Sequence, residues 1–124
     1  MSNALVVDDS RAVRMILGRT LREIGFDVCE AGNGLEALEL VEAHKASMRV
    51  VLADWNMPEM NGLDLLKRLR QDPELASLAI VMVTTETESD QMLAALAAGA
   101  SEYIMKPFTK DILLGKLEMA GVHI

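Results

Sequence analysis

Two adjacent aspartates, Asp8 and Asp9, close a short apolar run, a third, Asp54, closes another, and Thr84 and Lys106 end two more. Carboxylates with no histidine or cysteine near them are hard oxygen donors, a set that suits Mg²⁺, with Mn²⁺ or Ca²⁺ as substitutes in vitro. Two carboxylates about 4 Å apart repel by roughly 4 kcal/mol at an effective dielectric of 20, so three that converge need a cation. A carboxylate can attack phosphorus to give an aspartyl phosphate, and phosphoryl transfer asks mainly for positioning and charge neutralisation. A metal ion and Lys106 would supply the charge. The Thr84 hydroxyl could hydrogen-bond a phosphoryl oxygen, a contact that exists only when the group is present.

Such chemistry requires a fold that gathers these residues. Ala4 to Val7 has the unbroken apolar character of a strand buried on both faces. Phe26 to Ala31, Val50 to Ala53, Ile80 to Val83 and Tyr103 to Met105 read as four more strands. Between the first two, Ser10 caps a helix in which Val13, Leu17, Leu21 and Ile24 recur at helical spacing until Gly25. Asn33 with Glu36 three residues on opens a second helix. A third runs from about Leu63 to Leu69 and a fourth from Met92 to Ala98, closed by Gly99; Thr109 caps a fifth through Leu113, Leu117 and Glu118. Strict alternation predicts an α/β fold with a parallel sheet covered on both faces, because parallel neighbours need right-handed crossovers. The strand ends that carry the polar residues then share one edge, where ligands of open sheets bind.

At 124 residues the chain has the length of one domain, 1–124. Its 12 basic and 19 acidic residues give a net charge of −7, which repels phosphate backbones and anionic membranes. Cys29 is the sole cysteine, so neither an intrachain disulfide nor a thiolate zinc cluster is available. No apolar run approaches the roughly 18 residues of a membrane span. A cytoplasmic, monomeric domain without nucleic-acid contacts or membrane insertion is the expectation. His44 and His123 read as surface residues, and the nine methionines as core fillers.

Asp8-Asp9 after an apolar strand, Asp54-Trp55-Asn56-Met57-Pro58 with Gly62, Thr84, Gly99-Ala100 and Lys106-Pro107-Phe108 stand in order across essentially the whole chain. Together they resemble the receiver domain of two-component response regulators. The resemblance implies a flavodoxin-like fold with strand order 2-1-3-4-5 and five helices on both faces. It implies a signalling module rather than an enzyme, one that catalyses its own phosphorylation and slow dephosphorylation. Asp54 would be the phospho-acceptor. Asp9, Asp54 and the Asn56 backbone carbonyl would hold Mg²⁺, with Asp8 acting through water. Lys106 would pair with the phosphoryl group, Thr84 would be the switch hydroxyl, and Tyr103 the aromatic that changes rotamer with it. The Lys106–Pro107 bond is expected to be cis.

Trp55-Asn56, Glu86 and Lys106-Pro107-Phe108-Thr109 are similar to the chemotaxis branch of that family, whereas Thr85 stands where alanine is more usual and bears on phosphoryl lifetime. Trp55, beside the acceptor, should report metal binding by its fluorescence. Implied partners are a histidine kinase, a downstream target such as a flagellar switch component reading the helix 4–strand 5–helix 5 face, and a phosphatase. No output domain is expected after the fifth helix. Two other readings stay open. A metal-dependent phosphohydrolase would carry a second acid two residues past its acceptor, where this chain has Asn56; a flavodoxin-like cofactor binder would carry a Ser/Thr-rich phosphate loop where this chain has Asp8-Asp9.

Overall fold

The structure, a computed structural model, describes residues 3–85 and 89–122, and of Ser89 and Asp90 the backbone alone. Glu86 and His123 lie outside the described residues. The elements alternate as β1 (Asn3–Val7), α1 (Arg11–Glu23), β2 (Asp27–Ala31), α2 (Gly34–Ala43), β3 (Met48–Ala53), α3 (Gly62–Arg70), β4 (Ala79–Thr84), α4 (Ser89–Ala97), β5 (Glu102–Met105) and α5 (Lys110–Met119). All strand pairs are parallel and their order is β2-β1-β3-β4-β5.

Burial explains why the inner strands are so apolar. Every residue of β4, Ala-Ile-Val-Met-Val-Thr, is buried, whereas edge strand β2 keeps Asp27 and Glu30 in water. One face of the sheet packs Leu5, Val51, Ile80, Met82 and Tyr103 with residues of α2, α3 and α4. The other packs Val6, Leu52, Val81 and Ile104 with Leu17 and Leu21 of α1 and Leu113 and Leu117 of α5.

The helices begin where side chains satisfy their first free N–H groups. Ser10 Oγ accepts from Val13 N–H at 3.3 Å, Asn33 Oδ1 from Glu36 N–H at 2.9 Å and Thr109 Oγ1 from Ile112 N–H at 3.2 Å. Asn61 does the same for Asp64 at 2.9 Å, which starts α3 at Gly62, ahead of the apolar pattern. At α2 the expected reciprocal contact is displaced: the Glu36 carboxylate accepts from Gly32 N–H at 2.9 Å, in the loop before the cap.

A 3₁₀ turn at Pro73–Leu75, unmarked by any periodicity, sits at the sheet edge away from the strand ends that carry the aspartates. Beside it Lys45 pairs with Asp72, and lies 3.1 Å from Glu74 and 3.3 Å from Glu42. The Lys45 hydrogen bond holds the Asp72 carboxyl below the ordinary aspartate range. A group depressed in this way stabilises the fold above its unfolded pKa and loses that contribution as pH falls through its folded value. Lys45→Met is therefore expected to lower the melting temperature slightly near neutrality, with the difference from the unaltered protein vanishing in strong acid or high salt; a difference that grew on acidification would contradict the pairing.

Candidate metal and phosphoryl site

The sheet ladder runs one step past the strands and fixes the backbone of both key turns: Asp8 N–H donates to Ala31 O at 3.1 Å, and Asp54 N–H donates to Val7 O at 2.9 Å. Since β1 and β3 are neighbours, Asp8, Asp9 and Asp54 emerge together, with one carboxylate oxygen of each lying within 4.8 Å of the others.

The three are unequal. Asp8 is 2% exposed, and both of its carboxylate oxygens are engaged: Oδ1 accepts from Ser10 N–H and Oδ2 from Lys106 Nζ, each at 2.8 Å. Asp54 is 9% exposed; its Oδ1 accepts from Trp55 N–H at 2.9 Å and lies 3.6 Å from Lys106 Nζ. Asp9 is exposed. Burial pushes the Asp54 carboxyl above its ordinary pKa; Lys106 pulls it back, Asp8 and Asp9 push it further, and the Trp55 N–H opposes them. Three carboxylates against one ammonium leave two negative charges, which a divalent cation would neutralise, and the donors are all oxygen. The residues present fit Mg²⁺.

Thr84 ends β4, fully buried, and its carbonyl accepts from Lys106 N–H at 2.8 Å. The Lys106–Pro107 peptide is cis. Tyr103 is 3% exposed on β5, opposite Met82; strand alternation puts Thr84 and Tyr103 on the same face, the one α4 covers. Trp55 is half-buried, Asn56 and Thr85 are exposed, and Pro107 is exposed beside the partly buried Phe108. A surface cavity of about 670 Å³ between the C-terminal halves of α2 and α3 lies away from this edge.

Family comparison decides which of the open readings applies to this arrangement. The family model described as response regulator receiver domain matches residues 4–118. The chain belongs to that family. Among known receivers it is 48% identical over 116 residues to chemotaxis protein CheY1 of Helicobacter pylori, covering 93% of each chain. It is 46% identical to the chemotaxis protein CheY homolog of Campylobacter jejuni, covering 92% of this chain and 88% of that one. The solved structure of chemotaxis protein CheY4 of Vibrio cholerae superposes with a TM-score of 0.88 at 35% identity, over 97% and 98% of the two chains. This is a receiver domain of the CheY-type chemotaxis response regulators, with their fold and strand order.

Sequence reasoning missed three features of the receiver site. Arg14 reaches from α1 to the Asp8 carbonyl; Ser10 serves the Asp8 carboxylate through its N–H as well as capping α1; and Gly62 lies against the Asp54 carbonyl. The first was hidden because a charged residue off the apolar stripe reads as solvated, although Arg14 has the spacing, one turn past the cap, that points it back at the strand end.

Proposed function

We propose that this receiver accepts a phosphoryl group on Asp54 from a histidine kinase, with Mg²⁺ held by Asp9, Asp54 and the Asn56 carbonyl and by Asp8 through water. The observation that carries the reading is the gathering of three carboxylates at one edge of the sheet, with Lys106 beside two of them, so that two negative charges are in excess. Mg²⁺, when bound, neutralises charge on the transferring phosphoryl oxygens and orients them. Asp54 supplies the attacking oxygen. Lys106, between Asp8 and Asp54, is placed to pair with a phosphoryl oxygen on Asp54 without leaving Asp8. Thr84 offers its hydroxyl from the end of β4, and its movement toward that group frees the face on which Tyr103 is packed.

The output surface in this reading is α4, β5 and α5. Both helices pack on β5, and Leu93, Leu96, Met105 and Ile112 stand exposed there, an apolar set suited to a protein target. We take a flagellar switch component as its target and a phosphatase as a further partner, a reading that the likeness to chemotaxis proteins supports. Among the described residues no helix is long and apolar enough to cross a membrane. We take residues 1–124 as one cytoplasmic, monomeric receiver unit.

Acetyl phosphate with Mg²⁺ is expected to add one phosphoryl mass per chain, mapped to Asp54 and prevented by chelation; labelling that ignores the metal or falls elsewhere would refute the assignment. Trp55 emission is expected to change as Mg²⁺ is titrated. A flat signal in folded protein would count against the metal site.

A further inference from the structure

Arg14 stands on α1 with its side chain only 18% exposed. Its Nη1 donates to the backbone carbonyl of Asp8 at 2.6 Å, and its Nε donates to Glu30 Oε1, on edge strand β2, at 3.1 Å. The carbonyl it grips belongs to the peptide joining Asp8 to Asp9. The other polar groups of Asp8 are also engaged: its N–H by Ala31 O, its carboxylate by Ser10 N–H and Lys106. Past the Asp8 N–H the β1–β2 ladder ends, and an α1 side chain takes the place of a strand. Asp9 is exposed, so the plane of the preceding peptide sets where its carboxylate points.

We propose that Arg14, held by Glu30, is a positioning residue for the cation: it fixes the Asp8–Asp9 peptide so that the Asp9 carboxylate faces Asp54. The proposal rests on the metal reading above. A planar guanidinium suits the task because two of its N–H groups address two fixed acceptors at once, a carbonyl of one strand end and a carboxylate of the neighbouring strand.

The charge of Arg14 predicts the opposite result from its geometry. Removing a cation near an acidic cluster strengthens Mg²⁺ binding through Coulomb's law, whereas releasing the peptide that aims a ligand weakens it. Residues that orient ligands typically contribute about 10–100-fold in metal affinity. Arg11, exposed on the first turn of the same helix, provides a charge control.

The experiment is Mg²⁺ titration of the full chain, read by Trp55 emission and by calorimetry, for the unaltered protein, Arg14→Ala, Arg14→Lys and Arg11→Ala. Arg14→Ala is expected to bind Mg²⁺ about tenfold more weakly. Arg14→Lys, able to reach the carbonyl but without the fork, should fall between it and the unaltered protein, and Arg11→Ala should bind no more weakly than the unaltered protein. Binding by Arg14→Ala that is unchanged or tighter, or weakened only as far as in Arg11→Ala, overturns the proposal. Should Arg14→Ala not fold, Arg14→Lys decides: weaker binding supports the positioning role, and binding equal to the unaltered protein overturns it. Failure of the unaltered protein to bind Mg²⁺ would instead sink the underlying site.

Discussion

Asp54→Asn is expected to lose all labelling by acetyl phosphate and, without metal at neutral pH, to melt several degrees above the unaltered protein. The amide keeps an oxygen to accept from Trp55 N–H, so local geometry is preserved while a charge is removed. Burial is the strongest influence on the Asp54 carboxyl and disfavours its ionised form; Lys106, 3.6 Å away, attracts that form, while Asp8 and, more weakly, the exposed Asp9 repel it. The net effect holds the Asp54 carboxyl above its ordinary pKa, so its charge is a cost to the folded protein that the amide of Asn removes. A carboxyl whose folded pKa lies above its unfolded one costs nothing below the unfolded value and its full amount above the folded value. The advantage of Asp54→Asn should therefore shrink on acidification. Millimolar Mg²⁺ should reverse the order, since binding to the native state alone stabilises by about 1.4 kcal/mol for each tenfold excess over Kd. A variant that melts below the unaltered protein in chelator would show that the carboxylates do not strain the empty site.

Much of this arrangement was legible because strands buried on both faces read as unbroken apolar runs, and their ends are marked by the first polar residue. Asp8, Asp54, Thr84 and Lys106 were placed in this way. Strand order was not available from periodicity: the apolar runs of β1, β3 and β4 are interchangeable as letters, and the order 2-1-3-4-5 came from family resemblance. Contacts between elements were hidden for a related reason. Nothing in the sequence says that Lys106 pairs with Asp8 across 98 positions at 2.8 Å, or that Arg70 on α3 donates to the Gly99 carbonyl at 2.8 Å and to Ser101 Oγ at 3.2 Å. Arg70 reads as an ordinary surface cation until the sheet is folded, and Lys106, expected at the site, is expected there for a phosphoryl group and not for Asp8. The same blindness covers the 3₁₀ turn at Pro73–Leu75, which is too short to show a period.

Gly62→Ala carries the largest expected loss of stability. A Cβ there would lie 2.2 Å from the Asp54 carbonyl oxygen and 2.7 Å from Met82 Cε. The methionine tip can swing aside; the carbonyl cannot, because its own residue is tied to β1 through the Asp54 N–H bond to Val7 O. The start of α3 must retreat instead, which strains the Gly62 N–H bond to Trp55 O, 2.9 Å long, that closes the loop around the acceptor. Overpacking of this kind costs typically 1–3 kcal/mol, and backbone as the obstacle places Gly62→Ala toward the upper end. At about 4 °C per kcal/mol for a domain of this size the melting temperature should drop by about 10 °C. Because the retreat pulls on the loop that carries Trp55 and Asn56, Mg²⁺ binding should weaken in the molecules that remain folded. Gly115 in α5 is the contrast, since a Cβ there meets nothing within 4 Å and the helix gains by roughly 0.5–1 kcal/mol when glycine becomes alanine. Opposite shifts for Gly62→Ala and Gly115→Ala in parallel melts are expected; a Gly62→Ala protein as stable as the unaltered one would mean that the acceptor loop is not held against the helix as the structure has it.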